Sequence, residues 1–301
     1  MREYFDEILD DGMYGEESWE KAESKLIKNA VAKAVEKAGL TNGDINYICA
    51  GDLMNQCTGA NFGLRETEIP FLGLYGACST MAESLSLASM LVDGGFADYA
   101  VAATSSHFCS AEKQFRFPLE YGGQRPPTAQ WTVTGSGAVV LAKNGVGPRV
   151  THVTTGKIVD MGIKDVNNMG CAMAPAAADT IIAHFTDTGF ALNTYDLIIT
   201  GDLGRVGKDI TLELLLKNNI DITSVFEDCG CIIFSDEQDV HAGASGCGCA
   251  AVTFAGKLYK ELTEGRLKRI LLVATGALMS PTTALQGESI PGIAHAVAIG
   301  I

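Results

Sequence analysis

One cysteine of this sequence, Cys78, is a candidate nucleophile. Cys78 lies in a run of small residues, Gly76 to Thr80, between an apolar strand-like segment and a nearly all-apolar helix-like segment. Small residues allow a sharp turn, which would place the thiol at the N-terminus of the helix. There the free N–H groups and the positive end of the helix dipole favour a thiolate and a bound anion. The alternative is that Cys78 is a small core residue, the commonest role of a free cysteine.

A second turn of small residues, 241–246, leads into another apolar helix-like segment. Two such helix N-termini would face each other across one pocket and offer N–H donors to a ligand. The residues that we expect at this pocket are Cys78, Ser79, His241, Ala244 and Ser245.

Other polar residues follow the ends of predicted strands. Ser106 and His107 come directly after the apolar strand that begins at Tyr99, and Asp202 follows the strand that ends at Thr200. Sheets of α/β proteins place ligand-binding residues at such positions. We therefore add Ser106, His107 and Asp202 to the candidate site, with a structural role as the alternative for His107.

The elements around these turns occur twice. Ala50-Gly-Asp-Leu53 recurs as Thr200-Gly-Asp-Leu203, and the segment Leu91–Thr104 is echoed by Leu262–Thr275 in the same order. Strands alternating with helices predict a largely parallel sheet covered by helices on both faces. The sequence thus predicts a duplicated α/β unit, with the site where the two halves meet.

We place the boundary between the halves at 1–146 and 147–301. The second half opens with a strand at Val150, whereas the first opens near a helix capped by Ser18. A duplicated unit should have a strand before that helix too, so we expect the first strand of the N-terminal half to be missing. In the second half, Pro175 predicts the first turn of a helix, and Ile232–Phe234 predicts a strand.

Composition limits the classes of function. The 301 residues carry a net charge of −14, which argues against nucleic acid or an anionic membrane as a direct partner. No apolar run reaches the roughly 18 residues that span a bilayer, and the acidic start is not a signal peptide. The nine cysteines are then typical of reduced cytoplasmic thiols. Cys229-Gly-Cys231 and Cys247-Gly-Cys249 lack the spacing of zinc ligands, so we predict no metal site.

Taken together, the motifs resemble the thiolase-like superfamily, and more closely the stage V sporulation protein AD family. The segments that carry the closer resemblance are Ala50–Gln56, Phe71–Thr80, Asp93–Asp98, Ala103–His107, Glu120–Gln124, Met173–Asp179 and Gly287–Pro291. The superfamily implies a duplicated α/β fold in five layers, αβαβα, usually dimeric, with a nucleophilic cysteine at the position of Cys78.

The closer family implies a binding function. Its members are implicated in uptake of dipicolinic acid into the developing spore and in germination, alongside membrane proteins of the same operon. This implies a peripheral protein on the cytoplasmic side of the forespore inner membrane, a homodimer without a cofactor. Because the chain is acidic, an aromatic dianion must be bound by local groups. Arg116 and Arg125 could clamp a carboxylate, or calcium could enter with the ligand as a neutral chelate.

The alternative function is acyl transfer or condensation, with Cys78 as the nucleophile. Such chemistry needs bases beside the cysteine. Thiolases carry a His-x-x-Gly-Ala-Ser-Gly pattern, but His241 is one residue too close to its Gly-Ala-Ser-Gly. Thr275–Ser280 stands where a thiolase has its second cysteine, and Gly201–Leu203 where a ketoacyl synthase has a histidine. We therefore predict a binding protein that is not an enzyme.

Overall fold

Each half of the chain builds one large sheet, and one short strand from each half forms a third sheet of two strands. The computed structural model describes residues 1–115 and 125–301. The first half contains α1 (Trp19–Lys37), β1 (Tyr47–Gly51), α2 (Thr58–Leu64), β2 (Phe71–Gly73), α3 (Thr80–Asp93), β3 (Tyr99–Ser106), α4 (Phe108–Phe115), β4 (Trp131–Thr132) and β5 (Gly135–Ala142).

The second half repeats this alternation of helices and strands. It contains β6 (Arg149–Thr155), α5 (Met169–Thr188), β7 (Leu197–Thr200), α6 (Gly204–Lys217), β8 (Phe226–Asp228), α7 (Cys229–Ile232), β9 (Ala244–Ser245), α8 (Cys247–Val252), α9 (Tyr259–Thr263), β10 (Arg269–Ala277), α10 (Pro281–Leu285) and β11 (Gly292–Gly300). A π-helical turn, Thr253–Leu258, joins α8 to α9.

The strand orders confirm the duplication. The first sheet has the order β2-β1-β3-β5, with β5 antiparallel to β3. The second has the order β8-β7-β10-β11-β6, with β11 antiparallel to both neighbours. The first four strands of each list correspond, and β6 is the additional strand of the second half. That the first half lacks a counterpart of β6 because its first strand is missing stays a prediction.

A turn within the repeat also matches in detail. Gly95 and Gly265 have φ of +76° and +73°, which favours glycine because it has no Cβ. Each N–H donates to the carbonyl three residues earlier, on Val92 and Leu262. The structural match therefore pairs Val92 with Leu262, one position away from the match read from the sequence.

Three buried clusters define five layers. α1 and α2 cover the outer face of the first sheet, where Ile27, Val31 and Val35 are buried. α3 and the helix through α8 and α9 lie between the two sheets, with Met81 and Leu258 fully buried. α5 and α6 cover the outer face of the second sheet. The αβαβα fold predicted from the resemblance is confirmed.

Two local predictions in the second half are wrong. The helix expected to start at Pro175 begins at Met169, because the Asn168 side chain accepts a hydrogen bond from the N–H of Cys171 and caps it. The segment 232–234 is not a strand. The strand at this place is β8, and the chain turns into α7 before Ile232.

Candidate functional site

Cys78 lies in a tight turn that is held from the opposite half. The turn, Ala77–Ser79, is a short 3-10 helix leading into α3, and Ala77 has φ of +52°. The Gly76 carbonyl accepts hydrogen bonds from the N–H and the Oγ of Ser79, at 3.2 and 2.7 Å. Gly276 of β10 passes so close that a Cβ there would lie 2.5 Å from the Gly76 oxygen.

A cavity of about 300 Å³ opens beside this turn, and both halves contribute to it. From the first half it is lined by Leu53, Asn55, Tyr75, Ala77, Cys78, Ala111, Glu112, Phe115 and Thr132. From the second half it is lined by Met169, Ser245, Ala277, Leu278, Met279 and Ser280. An apolar cleft with a few polar groups is typical of a small-molecule site.

The Asp202 carboxylate lies behind Cys78 and is fully buried. It accepts hydrogen bonds from the N–H of Gly246 at 2.8 Å, from Thr275 Oγ1 at 3.0 Å and from Ser245 Oγ at 3.4 Å. The Cys78 thiol also donates to it. Because burial outweighs these donors, the pKa of Asp202 is raised to about 6.

The Cys78 thiol is not activated in this state. Burial is the largest cause that raises its pKa well above the ordinary value, and the negative charge of Asp202 adds to it. The expected stabilisation of a thiolate by the helix N-terminus is therefore smaller than the cost of desolvation. Near neutral pH the group is a protonated thiol that donates to a carboxylate.

Several N–H donors expected to bind a ligand are already occupied. The N–H of Gly246 donates to Asp202, and that of Gly248 donates to Ser106 Oγ at 3.0 Å. At the start of α3, the N–H of Ser79 donates to the Gly76 carbonyl. Polar side chains of the lining are therefore better placed to bind a ligand than the backbone N–H groups at the two helix N-termini.

Neither candidate histidine lines the cavity. His107 Nε2 lies 2.7 Å from the carbonyl oxygen of Gly12, and its Nδ1 accepts from the N–H of Cys109 at 3.1 Å. Burial lowers the pKa of His107. His241 Nδ1 lies 3.1 Å from the carbonyl oxygen of Pro126. Both rings connect loops, so no histidine of the described residues is among the lining groups.

Arg125 lies one layer behind the lining. Its Nη1 is 3.2 Å from Glu112 Oε1, and its guanidinium carbon lies 4.7 Å from the centre of the Trp131 ring. Glu112 itself faces the cavity. Arg116, the other candidate clamp, lies outside the described residues.

The predicted residues that the structure describes fall into three groups, and the first, His107, His241 and Arg125, does not line the cavity. Cys78 and Ser245 line the cavity, and Asp202 contacts both of them. Three more predicted residues, Ser79, Ser106 and Ala244, are buried in the framework behind it. The lining residues that sequence reasoning missed include Tyr75, Glu112, Phe115 and Met279. Tyr75 lies in the segment Phe71–Thr80 that carries the family resemblance, but no pattern singled out its side chain. Glu112 and Phe115 lie on α4, whose helical pattern was not recognised.

Two kinds of feature are absent from the part of the chain that the structure describes. In residues 1–115 and 125–301, no group of three or more His, Cys, Asp or Glu side chains could hold a metal ion. Nor is any helix of these residues both long and apolar enough to cross a membrane.

The duplicated five-layer arrangement, with a cysteine turn between its halves, is the thiolase-like fold, and solved structures share it. The chain superposes on the tetronic acid condensing enzyme AbyA1 with a TM-score of 0.62 and 17% identity, covering 92% of this chain and 86% of that one. For 3-oxoacyl-[acyl-carrier-protein] synthase III of Aquifex aeolicus VF5, the TM-score is 0.58 and the identity 14%, covering 92% and 84%. At such identities the likeness shows the fold alone.

Sequence comparison identifies the family. The family model for stage V sporulation protein AD (SpoVAD) matches residues 1–300. The chain is 50% identical over 293 residues to stage V sporulation protein AD of Bacillus subtilis (strain 168), covering 97% of this chain and 87% of that protein. The chain therefore belongs to the SpoVAD family of sporulation proteins.

Proposed function

We propose that this chain binds dipicolinic acid, or its calcium chelate, in the cavity beside Cys78 and supports uptake of this compound into the developing spore. The observation that carries the proposal is a largely apolar cavity between the two halves, in which the cysteine is hydrogen-bonded to a buried carboxylate. Such a pocket retains the space for a small ligand while its thiol is not activated.

The lining suits a flat aromatic ring with polar substituents. Tyr75, Phe115 and Met279 provide apolar and aromatic surface for the ring. The hydroxyl group of Thr132 can donate to a carboxylate. The charge balance supports the calcium chelate in particular. The charge of Glu112 is balanced by its ion pair with Arg125. The carboxylate of the buried Asp202 has no such partner among the described residues and gives the site a net negative charge.

Acyl transfer is the second candidate, and the position of Cys78 favours it. The thiol lies at a strand-to-helix turn and lines the cavity, in a fold shared with condensing enzymes. Among the described residues, Asp202 is the group placed to take its proton. The raised pKa of the thiol and the absence of a histidine from the described lining argue for the binding function instead.

We further propose a homodimer that acts peripherally at the cytoplasmic side of the forespore inner membrane, with membrane proteins of the same operon and a role in germination. β2 supports the dimer, because it is an edge strand whose Leu72 is 40% exposed. An open edge with an apolar side chain is suited to pairing with a second copy. Tyr75, which lines the cavity, is 50% exposed just beyond β2.

Titration calorimetry with dipicolinate, with and without calcium, tests the binding function. We expect saturable one-to-one binding in the parent chain, its loss in Cys78→Trp and in Met279→Trp, and unchanged affinity in the control His152→Ala. Melting curves establish that the variants fold. Turnover of acetyl-CoA or acetoacetyl-CoA that disappears in Cys78→Ala would instead establish the acyl-transfer function.

A further inference from the structure

A pair of buried carboxyl groups lies behind the cavity wall, and the proposed binding site does not use it. Glu23 of α1 is 1% exposed, and Asp52, in the turn after β1, is fully buried. Asp52 accepts hydrogen bonds from the backbone N–H groups of Met54 and Ala60, at 2.8 and 2.7 Å. Its position is therefore fixed by the main chain.

Glu23 is held by two hydroxyl groups from different elements. Ser110 Oγ of α4 donates to its Oε2 at 2.6 Å, and Ser105 Oγ of β3 donates to its Oε1 at 3.2 Å. The first of these bonds is a buried polar connection between α1 and α4. The residues next to Ser110 on α4 include Ala111 and Glu112, which line the cavity. Glu23 therefore helps to position one wall of the binding site.

The hydroxyl groups of Ser110 and Ser105 favour the charged form of Glu23, but burial and the charge of Asp52 disfavour it more strongly. The titratable groups that act on it or respond to it are Asp52, Glu20 and the Cys247 thiol. Lys113, on the neighbouring turn of α4, is bound to Glu20 at 2.7 Å. Among the described residues no cation forms an ion pair with Glu23. Burial, followed by the charge of Asp52, raises the pKa of Glu23 to about 8.

Ionisation of Glu23 would require water or a new partner in this space. β3 cannot easily move away from Glu23, because it is paired with β1 on one side and β5 on the other. α4 is a single helix of eight residues. Moving α4 away is thus the least costly way to hydrate a second carboxylate beside Asp52.

We propose that Glu23 is a proton-sensitive positioning residue. In its protonated form it holds α4 in place as a wall of the cavity, and when the proton is lost to solvent it releases α4 and weakens ligand binding. The link to ligand binding rests on the proposed function, whereas the movement of α4 does not.

A fluorescence titration without ligand tests the movement. Trp131 stacks on Phe108, the first residue of α4, with ring centres 4.5 Å apart. Trp19→Phe leaves Trp131 as the sole tryptophan. In this background we expect a transition in Trp131 emission with a midpoint near pH 8. It should be absent in Glu23→Gln, the neutral isostere, and retained in Glu36→Gln, the control at an exposed position of the same helix.

The same variants are then titrated with dipicolinate. If only the protonated form binds well, the Kd of the parent chain rises about tenfold from about pH 7 to about pH 9. Glu23→Gln should abolish that dependence. A parent chain without a transition, or Glu23→Gln titrating like the parent, overturns the proposal. If Glu23→Gln does not fold, the movement is tested in the parent chain by hydrogen exchange of the α4 amides. The exchange rates are corrected for the intrinsic effect of pH. No gain in exchange relative to α5 above pH 8 overturns it.

Should dipicolinate fail to bind at any pH, the proposed function fails. The fluorescence transition still tests Glu23.

Discussion

Replacing Gly276 by alanine should disrupt the site from the opposite half of the molecule. Gly276 needs no unusual backbone angle, so the effect is purely steric. The new Cβ would lie 2.5 Å from the oxygen of Gly76 and 3.2 Å from the nitrogen of Ser79. Since real Cβ contacts are essentially never below 3.0 Å, the strand and the Cys78 turn must separate by about 0.5 Å, which is 3.0 minus 2.5 Å.

Overpacking of this kind costs about 1–3 kcal/mol in the free energy of unfolding. A comparable loss in binding corresponds to a Kd that rises between about fivefold and about a hundredfold. Urea unfolding and titration calorimetry with dipicolinate measure the two effects. Gly145→Ala is the control, because nothing lies within 4 Å of its Cβ position. If Gly276→Ala has the stability and the Kd of the parent, β10 does not hold the Cys78 turn and our reasoning about the site is refuted.

Three further predictions follow from the same geometry. The melting temperature should fall from about pH 6 to about pH 9. Asp202 and Glu23 have pKa values raised to about 6 and about 8, so the stability their protonated forms provide is lost as pH rises through those values. Iodoacetamide should modify Cys78 more slowly at pH 7 than the partly exposed Cys171, because burial raises the pKa of the Cys78 thiol. Leu72→Lys should convert a dimer to a monomer in light scattering, because a charge on β2 blocks edge pairing.

Each of these has a clear contrary outcome. A melting temperature that is constant or rises over this interval would mean that the buried carboxyl groups are hydrated in solution. Modification of Cys78 before Cys171 would indicate an activated thiol and strengthen the case for acyl transfer. An unchanged mass of Leu72→Lys would place any dimer interface away from β2.

Much of the fold could be predicted because the sequence contains an internal repeat. The recurrence of Gly-Asp-Leu at 51–53 and 201–203 indicated a duplicated unit, and the turn at Cys78 indicated where the halves meet. These signals are local, since each depends on a few neighbouring residues. The prediction that a helix starts near Pro175 was wrong because Asn168 caps the helix and starts it at Met169. The hydrogen bond of a capping side chain has more influence on where a helix begins than the preference of proline for the first turn.

The details of the site depend on distant contacts and were less accessible. The sequence indicated free N–H donors at the start of α8, but Asp202 reaches across 44 positions to bind the N–H of Gly246. His107 was expected near the ligand, yet its ring is held by the carbonyl of Gly12, 95 positions away. No periodic pattern encodes such pairings, because they arise only when separate elements pack together.

A crystal structure of the chain with dipicolinate tests the central claim most directly. We expect the aromatic ring between the two halves, against Cys78 and Ser245, with Tyr75 or Phe115 beside it. Calcium, if present, should bind the carboxylates of the ligand. Dipicolinate bound elsewhere, with the cavity beside Cys78 filled only by water, would contradict the proposal that the thiolase-type pocket is the binding site.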